Sequence, residues 1–248
     1  MLKRLLLICF ALTAFSKLAF AKDEKPTSYD EQSANQNLID SCIERDVKDK
    51  AMECINKLLP IANRSANEVY SILLKKTLSA TSKENLKLAF NSLGTYSNSL
   101  CKFVKNNYSN NDIAKMHYIA CQINILTEFS AILVTYLVNN DHSENGTFYE
   151  KLINECSKHN TRKKQQSCFD EILSGVKLDF ANTLEKKFKT TSLVENVFLL
   201  SESLEIFDKY SSNLCSWVKS NYKDKDIAEM RYSACLAVIT YNYTSIIR

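Results

Sequence analysis

The chain has 248 residues, 45% of them hydrophobic and 24% charged, with a formal net charge of +4 and only three glycines and two prolines. So few turn-formers exclude a β-sandwich, whose many connections need both residues, and point to long helices. The basic residues form no cluster of the kind a nucleic-acid footprint requires.

Residues 1–21 read as a secretory signal peptide. Lys3 and Arg4 make a basic start, residues 5–15 a short apolar run, and Ala19-Phe20-Ala21 a cleavage pattern. That run is shorter than the roughly 20 residues a membrane-spanning helix needs, and no later stretch reads as long and apolar enough. Leu6-Leu7-Ile8-Cys9 faintly resembles a lipoprotein box, but it lies too early and has Ile8 where a small residue belongs. Cleavage after Ala21 removes Lys3, Arg4 and Lys17, which lowers the net charge from +4 to +1. The polar segment 22–41 reads as a disordered leader.

Composition changes at Cys42. Residues 51–79 carry Cys54, Leu58, Ile61, Val69, Leu73 and Leu74 at helical spacing, interrupted by Pro60, where a kink or a fresh start is expected. Residues 84–104 carry the stripe Leu86, Phe90, Leu93, Ser97, Leu100 and Val104. The turn-forming segment 106–112 follows, and Asp112 is expected to cap a third helix bearing Ile113, Met116, Ala120, Ile123 and Leu126.

The pattern then recurs. YSNSLCKFVKNNYSNNDIAKMHYIAC, starting at Tyr96, returns as YSSNLCSWVKSNYKDKDIAEMRYSAC, starting at Tyr210, with more than half of the positions identical and no gap. Cys42, Cys54, Cys101 and Cys121 match Cys156, Cys168, Cys215 and Cys235 at one offset of 114. The fold class is therefore all-α: a tandem duplication of a disulfide-bonded, roughly three-helix antiparallel module. Module one covers 42–138, a linker 139–155, and module two 156–248. Ser174-Gly175 takes the place of the Pro60 region, and Asp226 that of Asp112.

Eight cysteines behind a signal peptide imply an oxidising compartment, periplasmic or extracellular. A cysteine shortly before and one shortly after the hairpin turn can face each other, which favours Cys101–Cys121 and Cys215–Cys235. Cys42–Cys54 and Cys156–Cys168 follow by elimination. Twelve residues of straight helix span about 18 Å, too far for a bridge, so the chain before each first helix must fold back. Four cysteines per module allow three pairings, so this remains a preference.

No ligand spacing for zinc occurs, and His117, His142 and His159 are scattered; no metal or cofactor is expected. No nucleophile elbow, P-loop or dinucleotide motif is present, so the chain reads as non-enzymatic. Sequons stand at Asn63, Asn107, Asn145 and Asn242. Tyr96, Phe103, Tyr108 and Tyr118 recur as Tyr210, Trp217, Tyr222 and Tyr232. Core packing accounts for most of them; Tyr108, Tyr222 and Trp217 are the candidate protein contacts. Glu195, Glu202, Glu205 and Asp208 form a candidate acidic patch.

Three patches resemble the N-terminal domain of the LprI-like lysozyme inhibitors, bacterial envelope proteins. They are Met52-Glu53-Cys54 with Asn67 and Tyr70, the helix from Leu86 to Cys101, and Met116 to Cys121. The family's Arg-Asp pair is Ser97-Asn98 here and Ser211-Ser212 in the second copy, and its tryptophan before that tyrosine is absent. The resemblance implies an exported helical domain whose partner is a protein, a lysozyme for this family. The alternative is a secreted effector that uses the duplicated scaffold to bind a host protein.

Overall fold

A computed structural model describes Cys42, residues 48–134 and residues 148–248. The signal peptide, the leader, His142, Asn145 and the first part of the linker lie outside the described residues. Among those described the structure is all helix: α1 (Lys48–Lys76), α2 (Ala80–Asn106), α3 (Asn111–Val134), α4 (Phe148–Ser157), α5 (Arg162–Thr190), α6 (Val194–Ser220) and α7 (Lys225–Ile247).

Four cysteine pairs lie at bonding distance: Cys42–Cys54, Cys101–Cys121, Cys156–Cys168 and Cys215–Cys235, with Cα atoms 5.5–5.6 Å apart. These are the favoured pairings. Two join the arms of the α2–α3 and α6–α7 hairpins. In the second half the chain reverses between α4 and α5, and this reversal brings Cys156 back beside Cys168. Residues 148–155, expected to be linker, thus belong to a helix with a structural task.

Each hairpin holds its outer helix against the last one: α1 packs on α3, and α5 on α7. The largest contact, however, joins the halves, for α2 lies along α6. The Ser82 and Ser220 hydroxyls are hydrogen-bonded, and Ser99 donates to Glu202 at 2.8 Å, so the two helices run antiparallel over most of their length. Tyr96 stacks on Tyr210 with ring centroids 5.3 Å apart. Around them, Tyr243 lies 6.0 Å from Tyr96 and Phe129 lies 6.5 Å from Tyr210. Both the stacked pair and the flanking pair are residues separated by the 114-residue offset. One continuous core, including Leu93, Leu100, Phe103, Phe207, Leu214 and Trp217, crosses from one half to the other. Such aromatic pairs each add about 0.5–1.5 kcal/mol beyond the area they bury.

Local expectations need three corrections. α1 does not restart at Pro60 but passes through it. Pro60 and Asn56 are both exposed, so the carbonyl deprived of its amide partner lies on the solvent side of the helix. The caps fall two residues earlier than expected. Asn110 Oδ1 accepts from the amides of Asp112 and Ile113, and Asp224 Oδ1 from those of Asp226 and Ile227. Asp112 and Asp226 instead sit in the first turn, where the helix dipole favours a carboxylate. Finally, α3 is long and apolar enough to cross a membrane by length and composition, contrary to the sequence reading; half of that stretch is buried within the fold.

Candidate protein-contact surface

The first half supplies a side-chain cap to the start of its central helix. The second does not. Ser79 caps α2 by accepting from the Ser82 amide. At the equivalent place α6 begins with Leu193, which makes no side-chain cap. Leu193 is 57% exposed, and Val194 and Phe198 are 70% exposed each. Val194 and Phe198 are neighbours one helical turn apart. Leu78, 95% exposed just before the α2 cap, and Leu178 on α5 are exposed apolar side chains too. Three together at one helix start form a patch.

Beside this patch Glu195, Phe198, Leu199 and Glu202 line a shallow hollow open to solvent. Their i, i+3, i+4, i+7 spacing puts all four on one face of α6. Glu202 accepts from Ser99 across the seam. The acidic patch read from sequence thus divides: Glu195 and Glu202 border the hollow, Glu205 is tied to Lys209 at 2.6 Å, and Asp208 is exposed further along.

The aromatic candidates separate as well. Tyr108 is 39% exposed at the first hairpin tip, where its ring lies flat on His117 with centroids 4.0 Å apart. Burial lowers the His117 pKa and raises that of Tyr108. Tyr222, half-buried at the second tip, carries the Arg231 guanidinium over its ring at 5.5 Å. Because α2 and α6 are antiparallel, the two tips lie at opposite ends. Trp217 is corrected: it is fully buried, and its indole N–H donates to Thr77 Oγ1 at 3.2 Å. It anchors the seam and offers nothing to a partner. Of the residues standing where the resembled family has Arg-Asp, only Ser212 is exposed. Ser97 and Ser211 are buried, and Asn98 accepts from the Tyr118 hydroxyl at 3.1 Å.

Among the described residues the interior holds a carboxyl group, Glu128. Glu128 on α3 and Asn242 on α7, again 114 apart, face each other across the junction of the halves. Glu128 keeps some exposure as a residue, but its Oε1 is sealed from water without a hydrogen-bond partner, as is Asn242 Nδ2. Burial raises the Glu128 pKa to about 7. The same burial leaves the Tyr96, Tyr210 and Tyr243 hydroxyls well above the ordinary tyrosine range. Among the described residues, no group of three or more His, Cys, Asp or Glu side chains is placed to hold a metal ion.

Phe198, Leu193 and Val194 escaped the sequence reading. The signal was present in the repeat itself: at the 114-residue offset Phe198 stands opposite Glu84, Val194 opposite Ala80 and Leu193 opposite Ser79. No family model, no curated protein and no solved structure matches this chain.

Proposed function

We propose that this is an exported, non-enzymatic binding protein of the bacterial envelope, built by tandem duplication, and that its partner is a protein of the lysozyme kind. The signal-like start and the four cystine pairs suit an oxidising compartment. The observation that carries the binding reading is the uncapped, apolar start of α6, with Leu193, Val194 and Phe198 exposed beside the carboxylates of Glu195 and Glu202. A soluble helix start gains stability from a Ser, Asp or Asn cap. Apolar residues there forgo that gain and suit a surface that another protein covers. Many lysozymes are basic, and the carboxylates of α6 supply local attraction that the near-neutral whole lacks.

The test mixes mature protein with lysozymes of differing charge and follows lysis of cell-wall suspensions. Slowed lysis that reverts with Phe198→Asp supports the reading. Lysis undiminished at large molar excess with every lysozyme removes the inhibitor assignment.

A further inference from the structure

Three segments far apart in the sequence meet at one end of the molecule. The Trp217 indole donates to Thr77 at 3.2 Å and the Ser82 and Ser220 hydroxyls bond, which sets the α1–α2 connection beside the end of α6. Arg162 pairs with Asp224 at 2.5 Å and lies 3.7 Å from Asp226, which brings the α4–α5 connection to the same hairpin tip. Residues 75–83, 158–164 and 219–226 hold nine lysines and Arg162 against Asp224 and Asp226. That is a net +8 in a chain whose whole sequence carries +4, so everything outside these segments is net negative. Glu84, Glu155 and Glu229 border the segments and still leave the balance at +5. At the far end of the α2–α6 pair, residues 102–115 and 185–195 set six lysines against three carboxylates. Lys158, Arg162 and Lys219 are engaged by Glu155, Asp224 and Glu229. The other seven basic groups are all lysines, six of them exposed. Among them projects Leu78, 95% exposed, with Lys75 and Lys76 on one side in sequence and Lys83 on the other.

We propose that this end docks on an anionic phospholipid bilayer, with Leu78 entering the boundary between headgroups and acyl chains and the lysines lying over the charged headgroups. Lysine suits such a surface: it is a compact charge on an apolar stem and needs no fixed partner geometry. A nucleic acid strand suits it less. Bases stack on exposed aromatic rings, whereas Trp217 is buried and Arg231 lies over the Tyr222 ring. Leu78 would also stay in water against a phosphate backbone. α6 runs for 27 residues, about 40 Å, and carries Leu193, Val194 and Phe198 at its opposite end. A docked molecule therefore holds that patch away from the membrane. This inference goes beyond the binding-protein reading and stands without it.

The probes are vesicles of phosphatidylcholine alone and of equal parts phosphatidylcholine and phosphatidylglycerol, sedimented with the full mature protein. Binding is expected to the anionic vesicles only, and to fall as salt is raised. A lysine near such a surface is worth about fivefold in binding, so Lys163→Gln with Lys164→Gln and Lys223→Gln should weaken it about a hundredfold. Lys102→Gln with Lys105→Gln and Lys115→Gln removes the same charge from the far end, several screening lengths away, and should change binding little. Leu78→Ser should weaken it about tenfold, for the lost apolar burial. Unchanged circular dichroism and melting of each variant show that folding is intact. No binding to the anionic vesicles, equal loss from the two triple variants, or indifference to Leu78→Ser overturns the proposal. A DNA duplex bound more tightly than the vesicles reassigns this end to nucleic acid and overturns it as well. Lysis of cell-wall suspensions is a separate readout. Its failure removes the lysozyme and leaves vesicle binding standing, and inhibition without vesicle binding removes only the membrane.

Discussion

The start of α2 and the start of α6 are the same place in two copies of one pattern, and they have diverged in opposite directions. α2 opens on Ser79, a side-chain cap, and the polar Ser82 and Glu84. α6 opens on Leu193, Val194 and Phe198, uncapped and facing solvent. Elsewhere the copies agree closely: both hairpins bridge cysteines twenty residues apart, and both tips place a tyrosine over a ring or cation nine residues on. The two starts thus differ at the surface while the paired cysteines and the tips keep their places.

The comparison can be broken hardest at the seam, where the copies should be equal. Trp217 and its counterpart Phe103 are both buried within the shared core. Trp217→Ala and Phe103→Ala should each cost about 3–5 kcal/mol in urea unfolding. A small loss from either would mean the halves do not share one core. Removing Cys101–Cys121 or Cys215–Cys235 by paired Cys→Ala substitution should cost about 3 kcal/mol each, for loops of equal length.

Next comes an asymmetry. Glu128 titrates and Asn242 does not. The folded-state pKa of Glu128 is raised to about 7 from an ordinary 4.5. Its protonated form is favoured by the fold, so that stability is fully present below about pH 4.5 and is lost as pH rises through 7. The loss is at most on the order of 3 kcal/mol. Glu128→Gln should flatten this slope in denaturation curves taken from pH 4 to pH 8. A slope that persists in the variant assigns it to another group.

Smaller effects probe the helix starts directly. Ser79→Ala should lose about 1 kcal/mol, whereas Leu193→Asp should gain a similar amount while weakening partner binding. Last, Phe198→Glu, which copies Glu84 of the first half, should leave the melting temperature nearly unchanged, since surface changes usually fall within about 0.5 kcal/mol. A marked destabilisation there would mean that Phe198 supports the fold.

The helices and the cystine pairs were legible because they follow from local pattern: 3.6-residue periodicity, a cysteine on either side of each hairpin turn, and the remaining pairs by elimination. The seam was not. Periodicity tells which side of α2 is buried, but nothing in the stripe of Leu86, Leu93 and Leu100 says that the burying partner is α6. The caps were misplaced because Asn110, Asp112, Asp224 and Asp226 all have capping chemistry, and only the backbone path decides between them. Trp217 looked like a contact residue because its type is common at interfaces; its indole had an internal acceptor, Thr77, 140 positions away. Glu195 and Glu202 were visible in the sequence, but exposed Phe198 between them was hidden in a repeat position where the first copy has Glu84.

The chain has one tryptophan, and it sits at the boundary between the halves. Its emission is therefore an optical gauge of whether the two halves are together, read against a helical signal in the far ultraviolet that reports on each helix regardless of partner. Where the two traces part company on heating or reduction, the halves have come apart before their helices have melted.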